Sequence, residues 1–270
     1  MCMEEYIDPL FFDIDDLINN GFARFSSRNL KITTIQLSKS MLDDVVSMGI
    51  RTLPKPQKAE NIGDYIQELY LEDQEGGTNL TSSIYQLLPS LPTLWRFSVQ
   101  EELIEVLAFA GVSSATLGTI PVVRIDRPKT NIFATPWHQD YWFSQSAENS
   151  IVIWFPLTEL HADMGFLRAI RSPSNYGIVK FKEYKEGHEP FEPVKKIDES
   201  QAIDLECTFG DILIFYQSLL HKSGDNLSDK CRVSSQLRFN NMNNQRLPFS
   251  TFVAKHSEYV TQRQEDEISG

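Results

Sequence analysis

Cysteine is scarce in this chain, and what there is has no pattern. The three cysteines, Cys2, Cys207 and Cys231, form neither a paired set nor a C-x-x-C. That argues against a disulfide scaffold and against a zinc–thiolate site. Positive charge is also in deficit, with 25 Lys and Arg against 37 Asp and Glu and a net charge of −12. A general nucleic-acid binder needs the opposite balance, although one or two local arginines are enough to hold a small anion. Long hydrophobic runs are missing too. Stretches such as IVIWFPL at 151–157 fall far short of the roughly 20 apolar residues that span a bilayer. The acidic opening MCMEEYIDPLFFDIDD has no basic leader and no long apolar segment, so no signal peptide is read. Neither G-x-G-x-x-G nor G-x-x-x-x-G-K-[ST] occurs, which removes the usual phosphate-cradling loops. The expectation is a cytoplasmic protein acting on a small molecule, with no nucleic-acid or membrane partner.

What is present fits a globular chain. Hydrophobic residues make up 41% and charged residues 23% of its 270 positions, both ordinary for a domain with a sizeable core. Apolar residues recur at three- and four-residue spacing in 41–53, 60–73, 82–91 and 99–111, which predicts helices. After residue 118 the character changes. TIPVVRID (119–126), SIVIWFPL (150–157), GFLRAI (165–170), AIDLECTF (202–209), DILIFYQ (211–217) and CRVSSQLRF (231–239) are short, β-rich and bounded by turn residues. Such a series predicts a sandwich or barrel rather than βα units. A single domain over 1–270 is expected, mainly β with flanking α-helices. Its parts are a mostly helical 1–118 packed on a β core at 119–245, and a polar tail at 257–270. The charged stretch 181–201 reads as an exposed excursion that could serve as a lid.

The chemistry-bearing residues start with PWHQD (136–140), where His138 and Asp140 lie two apart. On a strand, positions i and i+2 point to the same side, so an imidazole and a carboxylate could meet one metal ion. The spacing alone is weak, because LHADMG supplies a second pair, His161 and Asp163. That pair follows a strand, ends in glycine and reads as a solvated turn. A third ligand would come from His221, at the far end of TFGDILIFYQSLLH. Two histidines and one carboxylate form the facial triad of non-haem iron(II) oxygenases, though the same donors accept zinc or manganese. Eleven residues on lies Arg232. In its strand Arg232, Ser234, Gln236 and Arg238 share one face, with Val233, Leu237 and Phe239 on the other. An arginine facing a cavity can clamp a carboxylate.

This ordered set resembles the phytanoyl-CoA dioxygenase (PhyH-like) superfamily of Fe(II)/2-oxoglutarate-dependent oxygenases. It comprises PWHQD, VIWFPL (152–157), GFL (165–167) and GDILIFYQSLLHKSGDN (210–226) followed by Arg232, with INNGFARF (18–25) as a similar opening. The resemblance implies a double-stranded β-helix (jelly-roll, cupin-like) core. It implies Fe(II) held by His138, Asp140 and His221, with Arg232 binding the distal carboxylate of 2-oxoglutarate. Ser223 and Trp154 match further co-substrate contacts. Arg124 and Arg127 are candidate substrate or co-substrate contacts, Trp142 and Arg238 are candidate substrate contacts, and the aromatic neighbours of the H-x-D could equally be core. The implied reaction uses O2, releases succinate and CO2, and hydroxylates a carbon of a small metabolite or biosynthetic intermediate. Relatives that halogenate replace the carboxylate ligand, whereas Asp140 is intact. In GFLRAIRSPSNYG (165–177) a histidine common among relatives is missing, so no acyl-CoA substrate is implied. The alternatives are a cupin-like metal-dependent isomerase or hydrolase, and a non-catalytic jelly-roll binding protein.

Overall fold

The computed structural model describes residues 13–26, 30, 32–130, 134–144, 147, 149–172, 177–180, 193–194 and 196–244. Most of the 181–201 excursion and the whole polar tail therefore lie outside the described residues.

The described residues begin with α1 (Ile14–Asn20), opened by the Asp13 carboxylate and closed by a left-handed Gly21. It turns at once into β1 (Phe22–Ser26). The helices α2 (Thr34–Met48), α3 (Ile62–Gly76), α4 (Leu80–Leu87), α5 (Pro92–Ser98) and α6 (Glu101–Phe109) follow. Thr33 and Asn61 cap α2 and α3 through their side chains, satisfying amide groups that a helix start leaves open. Two boundaries differ from the sequence expectation for physical reasons. The second helix starts seven residues earlier than 41, because Ser38 sits on its buried face and donates its Oγ to the Leu157 carbonyl at 2.7 Å. A polar residue there hides the apolar period. The helix expected over 82–91 breaks into α4 and a 3-10 turn at Leu88–Ser90 containing Pro89, since proline has no amide to continue the ladder.

The first part of the chain is not only helical, for β1 pairs with β7 (Asp211–Tyr216) at the edge of the main sheet. That sheet runs β1-β7-β4-β9-β2, with β4 at Ile151–Pro156, β9 at Arg232–Asn241 and β2 at Ala115–Leu117. A further strand, β3 (Val122–Asp126), also pairs with β9. A second sheet has the order β6-β5-β8, with β5 at Leu167–Ile170, β6 at Ala202–Leu205 and β8 at His221–Lys222. All pairings are antiparallel.

Alternation along the strands sorts the two cores. Ile151, Ile153, Phe155, Ile212, Ile214, Val233, Leu237 and Phe239 point to the helices and share one cluster with Leu37, Met41, Ile66, Leu69 and Phe97. Val152, Trp154, Leu213 and Phe215 point the other way and meet Leu167, Ala169 and Leu205 of the second sheet. Helices thus cover one face of the main sheet and the small sheet covers the other. This is the jelly-roll plan with flanking helices, its two sheets facing each other without closing into a barrel. Among the described residues, no helix is long and apolar enough to cross a membrane.

Candidate metal centre

The functional side chains gather between the two sheets, where β8 meets the H-x-D segment. His138 is not in a strand. It forms one isolated bridge with His221, each backbone N–H donating to the other's carbonyl at 2.9 Å. Asp140 then stands at the turn into α7 (Tyr141–Ser144), with the Phe143 amide bonded to its carbonyl at 3.0 Å. The side chains of 138 and 140 still reach one site, as alternation predicts, although a bridge and a turn replace the expected strand. Gln139 points elsewhere and is fully buried. Its amide nitrogen donates to the carbonyls of Gly177 and Ser218, and its Oε1 accepts from the Val179 amide at 2.8 Å. That single side chain ties the H-x-D segment to the start of the excursion and to the turn before His221.

Nδ1 of His138 lies 2.8 Å from the Pro136 carbonyl, and Nδ1 of His221 lies 3.0 Å from the Leu219 carbonyl. A carbonyl can only accept, so each Nδ1 carries the proton and each Nε2 keeps its lone pair. This outer bond orients metal-binding imidazoles and fixes their tautomer. His138 Nε2 is 3.8 Å from Asp140 Oδ1, and His221 Nε2 is 3.8 Å from Asp140 Oδ2. Both gaps exceed hydrogen-bond reach. One ligand atom from each of the three residues lies within 4.8 Å of the others, and all three residues are buried. Two imidazole nitrogens and one carboxylate oxygen, aimed at a shared gap, fit an ion such as iron(II).

The electrostatics agree. Burial strips water from both imidazoles, and at His138 the neighbouring His221 adds to the effect, so that the His138 pKa falls to about 3. The His221 pKa is also lowered, again chiefly by burial. Both rings are therefore neutral, the form that binds metal. For Asp140 burial alone would raise the pKa, but the charge of Arg238 and its hydrogen bonds outweigh it and keep the carboxylate ionised. Arg238 donates Nε at 2.9 Å and Nη2 at 2.6 Å to Oδ1 of Asp140, while its guanidinium stacks 5.5 Å from the Phe143 ring centre. The two described cysteines, Cys207 and Cys231, stand apart from this chemistry. Burial raises both thiols, Cys231 to about 12, so neither is a thiolate near neutral pH.

The other expected contacts divide. Arg238 and the inward-facing Arg124 belong to the site's surroundings, and the positive field of Arg124 helps to lower the His221 pKa. Trp154 packs in the inner cluster with Phe215, whose ring lies 4.9 Å from that of His221. Ser223 continues β8, its Oγ accepting from the Thr135 amide at 3.2 Å. Trp142 is buried and donates to the Val179 carbonyl at 3.0 Å. Arg127 points away, to Thr81 and Ser82 of α4. Arg232 is held by the chain itself: Nε and Nη2 donate to Oδ2 of Asp126 at 3.1 and 2.9 Å, and Nη1 donates to the carbonyls of Met164 and Gly165. The expected clamp for a co-substrate carboxylate thus already grips a carboxylate of the protein. Asp126 and Gln139 were not singled out in the sequence. For Asp126 the signal was an acid two residues from Arg124 on an otherwise apolar strand. The second H-x-D is as expected, with His161 and Asp163 exposed around a 3-10 turn.

Comparison with known proteins gives the same picture. No curated protein sequence matches. Among solved structures, the apo form of ThoJ, described as a non-heme monooxygenase, aligns with a TM-score of 0.55 at 16% identity, covering 85% of this chain and 77% of that one. The epimerase SnoN in complex with Fe3+, alpha ketoglutarate and nogalamycin RO aligns with a TM-score of 0.53 at 11% identity, covering 88% and 86%. AviO1 from Streptomyces viridochromogenes Tue57 aligns with a TM-score of 0.51 at 15% identity, covering 87% and 96%. These likenesses establish the fold. The sequence profile of phytanoyl-CoA dioxygenase (PhyH) matches residues 98–234, just over half of the chain and the whole span from the end of α5 through both histidines into β9. This chain belongs to the phytanoyl-CoA dioxygenase family of non-haem iron/2-oxoglutarate oxygenases.

Proposed function

We propose that this protein is an Fe(II)/2-oxoglutarate-dependent dioxygenase that hydroxylates a carbon of a small metabolite or biosynthetic intermediate, releasing succinate and CO2. The observation that supports it best is the buried triad of His138, Asp140 and His221, with both Nδ1 atoms tied to carbonyls and both Nε2 atoms facing one carboxylate. Family membership supports the same class of enzyme. The whole chain is read as one catalytic unit working in the cytoplasm, in keeping with two free, buried cysteines.

In this reading His138 and His221 supply neutral nitrogen ligands and Asp140 the anionic oxygen. Three protein ligands leave room for a chelating keto acid and for O2. The bound iron would couple decarboxylation of 2-oxoglutarate to oxidation of a substrate C–H bond. The protein's own work is to place and dry the site. Arg238 neutralises the buried Asp140 carboxylate and fixes its rotation. The rings of Phe143 and Phe215, edge-on to His138 and His221, keep water from the imidazoles. Gln139 holds the segments on either side together.

One solved relative is described as an epimerase, so the fate of the oxidised carbon is the finer question. The test has two stages. Screening compound classes for O2-dependent succinate release by the wild type identifies a substrate, and the Asp140→Ala variant should then give none above background under saturating iron. With that substrate, an oxygen atom from 18O2 should appear in the product. Unlabelled product of inverted stereochemistry would replace hydroxylation by epimerisation, and normal turnover by Asp140→Ala would remove the triad assignment altogether.

A further inference from the structure

We propose that a cleft on the outer face of the small sheet binds a small organic anion with an aliphatic body, such as a medium-chain carboxylate. The cleft lies on the opposite side of β8 from the metal centre and is independent of the reaction proposed above.

Strand alternation places it there. His221 turns inward to Asp140, and Leu167 and Ala169 turn inward to the core between the sheets. Their neighbours Leu220 and Ile170 therefore face out, and the Ile170 amide donates to the Leu220 carbonyl at 3.0 Å. Further along this face the side chains are charged and paired, as on an ordinary solvated sheet surface. Lys222 and Arg168 both reach Glu199, and Arg168 also reaches Asp204. The aliphatic end is different. Leu220 is only 2% exposed, yet it belongs to neither apolar core. With Ile170 it forms the floor of a hollow of about 630 Å³, walled by Ile178, Val179, Val194 and Ile197. That size falls within the roughly 300–1,000 Å³ of small-ligand sites. Backbone amides hold the walls in place: Val194 donates to the Lys180 carbonyl at 2.9 Å, and Val179 to the Gln139 side chain at 2.8 Å.

The polar residues of the cleft select the charge of the ligand. Lys180 and Lys196 line it and are exposed, and neither pairs with a carboxylate among the described residues. The one acid of the lining, Asp198, is turned to its own chain. Its Oδ1 accepts from the amide and hydroxyl of Ser200, and its Oδ2 accepts from Gln201. The cleft thus carries one net positive charge in a chain whose net charge is −12. Two unpaired ammonium groups beside a hollow of aliphatic side chains match an anionic head joined to a flexible apolar body. No aromatic side chain lines it among the described residues, so nothing there favours a stacked ring.

The test is calorimetric titration of the purified, metal-free full chain with octanoate, using acetate and 1-octanol to separate head from body. One equivalent of octanoate should bind saturably. Acetate lacks the apolar body and octanol lacks the charge, so each should bind about tenfold more weakly or worse. Reversing both lysines, in Lys180→Glu/Lys196→Glu, should weaken octanoate roughly tenfold; both positions are exposed, so the fold is kept. Ile170→Asp puts a charge on the floor and should remove binding. Absence of saturable octanoate binding by the wild type overturns the proposal. So does octanol binding as tightly as octanoate, which marks an unselective apolar contact. An affinity within twofold of wild type in the double lysine variant places octanoate elsewhere on the molecule and overturns it too.

Discussion

Asp126 and Arg232 form a pair that is costly to break singly. Both are buried and bonded to each other, so truncating the acid leaves an uncompensated charge between the sheets. Asp126→Ala should lower stability by about 3–5 kcal/mol, whereas the double replacement Asp126→Leu/Arg232→Met should recover most of that loss. Chemical denaturation of the three variants checks this, and a double variant as unstable as the single one would contradict it. Gln139→Ala should cost about 1–3 kcal/mol by orphaning buried partners, with unfolding midpoints as the measure. At this scale the cluster of His138, Asp140 and His221 was legible in the sequence as a candidate triad, and the fold brings the three side chains together. Arg232 was legible as a position but not as a contact. Spacing shows that a guanidinium faces inward; only the fold shows that Asp126, more than a hundred residues earlier, meets it there.

Strands were read more surely than the pieces between them. Apolar alternation in β4, β7 and β9 marks the face that meets helices and the face that meets the second sheet. The H-x-D segment gave the right neighbours by the wrong element, since positions two apart share a side in a bridge followed by a turn as well as in a strand. β1 escaped notice because FARFS is short and sits among helices; only its pairing with β7 makes it a strand. The link between the second histidine and Arg232 depends on close backbone packing. A Cβ on Gly224 would collide with the carbonyl of Phe166 and the backbone of Gly165, next to where Arg232 donates to that same Gly165. Gly224→Ala should therefore push β5 away from the 221–226 segment. The expected result is a melting temperature several degrees lower and weaker Fe(II) binding; an unchanged melt would show that the two segments can part without penalty.

For the molecule as a whole, the jelly roll buries two neutral imidazoles between its sheets, and that has a consequence for stability against pH. In the unfolded chain the histidines take up protons near pH 6.5, but in the folded, metal-free protein His138 does so only at about 3 and His221 is lowered as well. Between those limits the unfolded state binds more protons, so the metal-free protein loses stability as pH falls below about 6.5. For His138 the slope reaches about 1.4 kcal/mol per pH unit. Urea midpoints at pH 7 and pH 5 should show the fall, and a His138→Leu variant should show a shallower one; equal slopes would contradict the buried, neutral imidazole.

All of this rests on three side chains sharing one metal ion. Anaerobic titration of Fe(II) into the metal-free protein with 2-oxoglutarate present tests that most directly. One equivalent should bind and raise a single visible charge-transfer band, with Asp140→Ala and His221→Ala giving no band. A wild type that binds no iron, or an Asp140→Ala variant that titrates like it, would contradict the account.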